Sequence, residues 1–422
     1  MIRLLCQRLR PLPSPRPVER DLALEGLRGG CALLVFAAHL FLPIPVLDPV
    51  WTPSGRFSWF SLGYPAVLMF FVLSGYVIGM VTTRPATTAA GRHYLLHRAA
   101  RRLPVNTFVV LICWLLLVHP GTRTVLGNLA FLENYDAYPG IGNIPVLQNN
   151  PNLWSLNYEA VYYLGFIALW IGAPPAAAVF GGMALLACAP VFGLPVPLVF
   201  ARYACGALYW LAGLAVAWMS VRPDSSPRRS NWAAAGLVAY AIWSFAPLRT
   251  LCLHWQLSGW LWPPPTPVSP HRLDFLPACV WMLVAVTGHA QGLQRFLTWT
   301  CLFLATIGLA SRVMTGDWRE VDTVALIALL VAGGLVRRDF TLQPMRWLAP
   351  VGAVSYGLYA IAAPLQLGQR ALVPGFSGSV LTYGVRLAFV VTMVAAATWL
   401  LERRLCPPLG KWIRQLGGPG PR

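Results

Sequence analysis

The sequence predicts an all-α protein, a polytopic transmembrane helical bundle of about 10–12 spans. Of its 422 residues 57% are hydrophobic and only 11% are charged, less than half of the roughly 25% found in average soluble domains. Apolar runs near the 17–25 residues that cross a bilayer recur along the whole chain. The low charged fraction excludes a soluble multidomain protein and a nucleic-acid-binding arm, although the formal net charge is +18.

Twelve apolar segments are candidate spans: 29–46, 58–82, 103–119, 155–172, 175–193, 199–220, 232–248, 274–290, 297–311, 321–337, 350–370 and 379–401. Segment 297–311 is the least secure, because it is shorter than the roughly 17 residues that a span needs. We expect residues 1–22, which are rich in Arg and Pro, to be a disordered cytoplasmic tail. Residues 23–404 are predicted to form a single transmembrane domain, and 405–422 a second cytoplasmic tail.

The distribution of basic residues predicts the orientation. With the N-terminus inside, the inner loops and the C-terminal tail hold 16 basic residues against 7 in the outer loops, not counting the N-terminal tail. Cytoplasmic loops of membrane proteins carry an excess of Lys and Arg. We therefore predict a multi-pass protein of the cell (inner) membrane with both termini in the cytoplasm. The loop between the second and third spans contributes most to the bias, with Arg84, Arg92, Arg98, Arg101 and Arg102.

Four polar side chains lie inside predicted spans, where each needs a partner or a function. Arg202 and Arg386 are near span ends, so we expect them to snorkel to the interface. A lone histidine such as His39 is more often a satisfied core residue than a functional one. Glu159 lies in the fourth span on a polar helix face that it shares with Ser155, Tyr162 and Tyr163.

The spacing of Arg28 and His39 favours a functional role for His39. Eleven residues are just over three helical turns, so the two side chains share one helix face about 16 Å apart. Such a face offers a guanidinium at the cytoplasmic rim and an imidazole near the membrane midplane. A long ligand with an anionic head and a reactive tail fits this arrangement. Arg98, Arg101 and Arg102, predicted on the same side of the membrane, are candidates for a phosphate clamp.

Five motifs occur in order along the chain: Leu24-Glu25-Gly26-Leu27-Arg28-Gly29 with His39, Phe70-Phe71-Val72-Leu73-Ser74-Gly75-Tyr76, Arg98-x-x-Arg101 before Pro104, Trp154-Ser155-Leu156 with Glu159 and Tyr163, and Ser355-Tyr356-Gly357-Leu358-Tyr359. Together they resemble the acyltransferase 3 family of integral membrane acyltransferases. The matching blocks run from about 20 to 370, and 170–340 matches only in hydropathy. The chain departs from the family pattern at Glu25, at Asn157-Tyr158 and at Ala362, where a second His is usual.

The resemblance implies transfer of an acyl group, often acetyl, from acyl-CoA to a hydroxyl of a carbohydrate or glycosylated acceptor. A histidine is the side chain best suited to take the hydroxyl proton near neutral pH, so His39 is the expected base. Glu159 is the second expected catalytic residue, on the outer side from which the acceptor would come. Acyl-CoA is the co-substrate, and we expect no permanently bound cofactor and no metal. The expected substrate-binding residues are Arg28, Arg98, Arg101, Tyr163, Ser355 and Tyr356.

Two alternatives remain open at this point. A transporter of polysaccharide or small molecules would also explain the buried polar residues, but not the Arg28–His39 spacing or the Arg-x-x-Arg motif. A catalytically inactive homologue is suggested by Ala362 in place of the second His.

Overall fold

The computed structural model describes residues 21–41, 47–53, 62–83, 85–116, 120–134, 144–219, 229–254 and 268–416. Most of the predicted N-terminal tail (1–20), the last six residues of the predicted C-terminal tail (417–422) and the loop residues Arg56, Arg84, Arg222 and Arg228 lie outside these ranges. The described α-helices are α1 (Leu22–Leu40), α2 (Gly63–Val81), α3 (Thr88–Leu116), α4 (Thr122–Leu129), α5 (Trp154–Gly172), α6 (Ala176–Cys188), α7 (Leu198–Met219), α8 (Trp232–Phe245), α9 (Pro247–His254), α10 (Leu276–Thr287), α11 (Gln294–Thr315), α12 (Glu320–Leu335), α13 (Gln343–Trp347), α14 (Ala349–Ala353), α15 (Ser355–Leu372), α16 (Val380–Leu400) and α17 (Cys406–Gln415).

Extended structure is minimal in the described residues. The parallel strands β1 (Glu133–Asn134) and β2 (Ile144–Pro145) form one ladder, and the antiparallel strands β3 (Arg229–Ser230) and β4 (Phe340–Thr341) form the other. Short 3₁₀ turns join several helices, and a π-helical turn separates α16 from α17. The prediction of an all-α protein is confirmed.

Each of the twelve predicted spans overlaps a helix. Within the described residues, seven helices are long and apolar enough to cross a membrane: Leu22–Leu40, Gly63–Val81, Thr88–Leu116, Leu198–Met219, Trp232–Cys252, Gln294–Thr315 and Val380–Gln415. The doubtful segment 297–311 lies inside α11, which has 22 residues. Shorter helices such as α10, with 12 residues, fall below that length. The protein is therefore a multi-pass membrane protein, and the count of twelve spans stays a prediction.

The helix α3 differs most from the prediction. It has 29 residues and begins at Thr88, so Arg98, Arg101 and Arg102 lie in the middle of a continuous helix rather than in a loop. Pro104 does not end this helix, although its ring cannot donate a hydrogen bond to the carbonyl of Ala100. The backbone of α17 covers that carbonyl, since a Cβ on Gly410 would come within 2.8 Å of the Ala100 oxygen.

The first compact unit comprises the described parts of Met1–Arg28, Tyr64–Arg84 and Gly172–Ala349. Its helices α2 and α7 touch backbone to backbone. A Cβ added to Gly75 would lie 1.9 Å from the carbonyl oxygen of Trp210. A Cβ added to Gly213 would lie 1.9 Å from the carbonyl oxygen of Val72. Membrane helices associate through such small residues, because lipid offers no hydrophobic drive between helices.

Several charged side chains of the first unit form ion pairs or contact an aromatic ring. Asp322 accepts hydrogen bonds from the backbone and guanidinium of Arg319, and so caps the start of α12. Arg312 pairs with Asp317, and the Arg272 guanidinium lies 3.6 Å from the centre of the Trp243 ring. The hydroxyl of Tyr209 donates to the Arg272 carbonyl. Neighbouring residues at helix ends thus satisfy most of these charges.

The second compact unit comprises the described parts of Gly29–Gly63, Pro85–Ile171 and Pro350–Arg422. Arg386 is buried there and does not snorkel as predicted. It donates to the Gln369 side chain at 2.7 Å and to the Phe376 carbonyl at 2.7 Å. The reason is that α15 and the turn before α16 supply hydrogen-bond acceptors to the guanidinium, which is therefore satisfied inside the protein without contact with water.

The segment after α1 is anchored to the start of α16 in this unit. The Asp48 carboxylate accepts from the amide of Gly378 at 3.1 Å and from the Thr382 hydroxyl at 3.1 Å. Burial raises the pKa of Asp48, but the amides of Trp51, Val50 and Gly378 outweigh it and lower the pKa. The Tyr383 hydroxyl donates to the Leu40 carbonyl at 2.5 Å. These contacts fix the C-terminal end of α1, where His39 lies.

Candidate active site

His39 occupies the last turn of α1 and is partly buried. Its Nδ1 lies 2.7 Å from the carbonyl oxygen of Val35, one turn earlier on the same helix. A carbonyl can only accept, so this contact assigns the proton of the neutral ring to Nδ1 and leaves a lone pair on Nε2. The local helix geometry alone therefore prepares the imidazole to accept a proton.

Asn152 links His39 to two of the sequence motifs. Its side chain lies close to the His39 ring. Its backbone carbonyl accepts from the hydroxyls of Tyr359 at 2.9 Å and of Ser155 at 3.3 Å, and these two hydroxyls are 2.7 Å apart. The Trp-Ser-Leu motif and the Ser-Tyr-x-Leu-Tyr motif thus meet at one buried residue, which contacts the histidine.

The 3₁₀ turn Pro151–Leu153 presents Asn152 in this position. Asn150, just before the turn, donates to the carbonyl of Ala360 at 2.7 Å, and Asn149 donates to that of Cys113 at 3.0 Å. These amides tie the turn to α15 and α3. The sequence offered a weak signal for this role, namely three asparagines within four positions at the start of an apolar segment, and we did not predict it.

Glu159 is engaged by Arg102 at the centre of a second cluster. The Arg102 guanidinium lies 2.8 Å from the Glu159 carboxylate, donates to the Tyr163 hydroxyl at 2.9 Å and lies 4.3 Å from the centre of the Tyr356 ring. We predicted Glu159 near the outer end of its span and Arg102 in an inner loop. That separation is wrong, because α3 extends past Arg102 and brings it alongside α5.

The remaining predicted residues of the second unit are distributed as follows. The Arg98 guanidinium lies between the rings of Tyr94 and Tyr163, at 5.6 and 5.8 Å from their centres. Its buried Nε has no hydrogen-bond partner among the described residues, and the same holds for the Oγ of Ser355. Arg101 is exposed on α3.

Arg28 belongs to the first unit, where it pairs with Glu25 at 3.5 Å. The helix α1 is continuous from Leu22 to Leu40, as the eleven-residue spacing of Arg28 and His39 requires. In the part of the chain that the structure describes, no group of three or more His, Cys, Asp or Glu side chains could hold a metal ion.

The fold and the site together define a multi-pass helical membrane protein in which buried polar side chains from several helices surround a histidine. The family model described as an acyltransferase domain matches residues 21–403. The chain therefore belongs to the acyltransferase 3 family and is a membrane acyltransferase. No curated protein and no solved structure matches it.

Proposed function

We propose that the protein is an O-acyltransferase of the inner membrane that uses acyl-CoA as donor. It moves an acyl group, acetyl in our proposal, to a hydroxyl of a carbohydrate or a glycosylated small molecule. The observation that carries the proposal is the Nδ1 contact of His39 with the Val35 carbonyl, which leaves Nε2 as a base. A base with its pKa near neutrality is what O-acylation requires.

The reaction follows from this tautomer. Nε2 of His39 takes the proton of the acceptor hydroxyl while its oxygen attacks the thioester carbonyl. The C–S bond then breaks, and the imidazolium returns the proton to the departing thiolate. We propose that Asn152 positions the His39 ring. The buried hydroxyl of Ser355 has no hydrogen-bond partner among the described residues, so it is our candidate hydrogen-bond donor to the oxyanion.

The Arg102–Glu159 pair changes the role that we propose for Glu159. A carboxylate bound to a guanidinium is a poor proton acceptor, because proton uptake would leave the buried arginine unpaired. We therefore propose Glu159, Tyr163 and Tyr356 as residues that hold Arg102, and through it the spacing of α3 and α5. His39 remains the catalytic base.

The donor site follows from the arginines of α3. CoA carries its charges at the nucleotide end, and guanidinium groups bind phosphate through a planar fork. Arg98 and Arg101 are the proposed ligands of these phosphates, and the role expected of Arg28 rests on its sequence motif alone. This role needs the cytoplasmic end of α3 to face the donor, in line with the N-inside orientation predicted from the arginine distribution.

The test measures release of free CoA from acetyl-CoA by the purified protein, with and without a panel of sugar acceptors. We expect acceptor-dependent CoA release, and we expect His39→Ala to lower kcat by at least the 10²–10⁴-fold typical of general-base catalysis. His93→Ala, an exposed histidine on α3, is the matched control and should retain kcat. Normal turnover in His39→Ala would contradict the base assignment, and solute transport without CoA release would favour the transporter.

The acceptor is identified by mass spectrometry of surface glycans from cells with and without the protein. An acyl mass difference on a sugar is the expected result. An inactive homologue would leave the glycan masses identical and would release no CoA.

A further inference from the structure

We propose that the C-terminal helix α17 forms part of a binding site for nucleotide phosphates, in which Arg414 acts beside Arg98. The ligand is the nucleotide end of the acyl donor, so this inference rests on the proposed function. The sequence had suggested only a cytoplasmic tail for these residues.

The helix α17 is docked along the N-terminal half of α3. Gly410 lies against the Ala100 carbonyl, which Pro104 leaves without its usual helical donor. A Cβ at position 410 would be 2.8 Å from that oxygen, so the close approach depends on glycine. At the C-terminal end of α17, the Arg92 guanidinium donates to the Leu416 carbonyl at 2.6 Å. The helix is therefore held against α3 at its middle and at its C-terminal end.

This packing brings Arg414 into the neighbourhood of Arg98. A guanidinium nitrogen of Arg414 lies 3.8 Å from the Cβ position of Gly410, so the side chain folds back toward the contact with α3. Because Gly410 packs at Ala100 and Leu416 at Arg92, the antiparallel register places Arg414 alongside the turns of α3 between Arg92 and Arg98. Two arginines from segments more than 300 residues apart in sequence thus converge on one side of α3.

The two segments supply almost no negative charge to balance these arginines. Across residues 85–116 and 401–416 the single carboxylate is Glu402, and it accepts from the amide of Gly357 at 2.8 Å. Arg102 is neutralised by Glu159, whereas the buried Nε of Arg98 lacks a hydrogen-bond partner among the described residues. A multivalent anion would relieve the repulsion and supply the missing acceptor.

The depth of Arg98 favours a nucleotide over a lipid headgroup. Its guanidinium lies between Tyr94 and Tyr163, and Tyr94 packs on Phe166 of α5 at 5.2 Å between ring centres. A ligand must therefore reach between helices to bind it. A headgroup at the membrane surface would need only the exposed charges of α17.

The experiment compares Arg414→Ala with Arg403→Ala, which removes an equal charge from an exposed position on the π-helical turn. KM and kcat are measured with acetyl-CoA and with acetyl-pantetheine, which lacks the nucleotide. We expect Arg414→Ala to raise KM for acetyl-CoA about tenfold or more, and to leave kcat and the KM for acetyl-pantetheine unchanged. Arg403→Ala should match the wild type with both donors, and Arg414→Lys should recover part of the lost affinity.

Three results would overturn the inference. An equal rise in KM for acetyl-pantetheine would mean that Arg414 acts through folding alone. Parallel effects of Arg414→Ala and Arg403→Ala would mean a general charge effect. A defect that appears only in nanodiscs containing anionic lipid, and not in zwitterionic ones, would assign the basic face to lipid.

Equilibrium binding of radiolabelled CoA separates this inference from the proposed function. If the wild type shows no turnover but binds CoA, and Arg414→Ala weakens that binding about tenfold or more, the proposed function fails and the phosphate site stands. If CoA binds the wild type and Arg414→Ala equally, the phosphate site fails whatever the turnover.

Discussion

The two compact units bury charge in different ways. In the first unit the pairs are local in sequence: Arg319 with Asp322, and Arg312 with Asp317. In the second unit the partners are distant: Arg102 and Glu159 are 57 residues apart, and Tyr359 and Asn152 are 207 apart. Pairs that are local in sequence cap helices, and they can form as soon as the helix forms. Distant pairs exist only in the folded unit, and they lie where the motifs of the acyltransferase family converge.

A charge inside a membrane protein can thus serve structure or function. The sequence separation between the charge and its partner helps to distinguish the two. The first unit uses its arginines to finish helix ends, as the bonds of Arg319 to Asp322 at the start of α12 illustrate. The second unit uses polar side chains to connect α1, α3, α5 and α15 around His39.

Breaking the Arg102–Glu159 pair should have the largest effect on stability. Arg102→Ala leaves an uncompensated buried carboxylate, which typically costs about 3–5 kcal/mol. Asp317→Ala, in the first unit, removes a partner whose side chain is 61% exposed and leaves Asp322 at 3.9 Å from Arg312, so it should cost about 1 kcal/mol or less. Thermal unfolding in detergent compares the two variants. Equal losses would remove the distinction between the units.

Asn152→Ala should have the next largest effect, on turnover. We expect the Asn152 amide oxygen to accept from the His39 imidazolium during turnover. A hydrogen bond to a charged group is worth about 1.5–3 kcal/mol, so kcat should fall roughly 10- to 150-fold. KM for acetyl-CoA should stay unchanged, because Asn152 positions the base and does not bind the donor. Asn149→Ala, which removes the amide that reaches the Cys113 carbonyl, is the control. A rise in KM with kcat intact would contradict the positioning role.

Glu133 sharpens the comparison, because this buried carboxyl in the second unit has no hydrogen-bond partner for either oxygen among the described residues. Burial raises its pKa to about 9 from an ordinary value of 4.5. Between these pH values the unfolded chain releases a proton that the folded protein keeps. Stability should therefore fall as pH rises through this window, by at most about 1.4 kcal/mol per pH unit.

Glu133→Gln removes the pH-dependent loss of stability, because glutamine does not ionise. The melting temperature of this variant should therefore exceed that of the wild type by a margin that grows from pH 5 to pH 9. Glu320→Gln, at an exposed position at the start of α12, should give a margin that does not change with pH. Differential scanning fluorimetry across this range makes the measurement. Parallel curves for wild type and Glu133→Gln would show that Glu133 titrates normally.

Much of the fold could be predicted from apolar length alone. Each of the twelve predicted segments overlaps a helix of the described residues, because a span must satisfy its backbone internally. Apolar length did not predict the start of α3, because residues 88–102 are too polar to resemble a span. Their Ala, Leu and Arg content does favour a helix, so propensity would have detected what hydropathy missed.

The site was predicted in part. His39 stood out as a costly residue inside a predicted span, and Arg98 as part of the Arg-x-x-Arg motif. The structure places His39 Nδ1 on the Val35 carbonyl and Arg98 between two tyrosine rings. Arg102 was only a candidate for the phosphate clamp, and Asn152 and Tyr359 were not assigned roles. Their importance comes from contacts across 57 to more than 200 residues, which no local pattern in a single sequence encodes.

The close contact of Gly75 with Trp210 bears on how mutational scans of this protein are interpreted. Any side chain at position 75 would force α2 away from α7, so a screen for surviving activity would score Gly75 as intolerant, like His39. A fluorescent fusion that reports protein abundance would separate the two, with low signal for Gly75 variants and normal signal for His39 variants. Residues of different family motifs can thus be indispensable for different reasons, assembly for Gly75 and chemistry for His39.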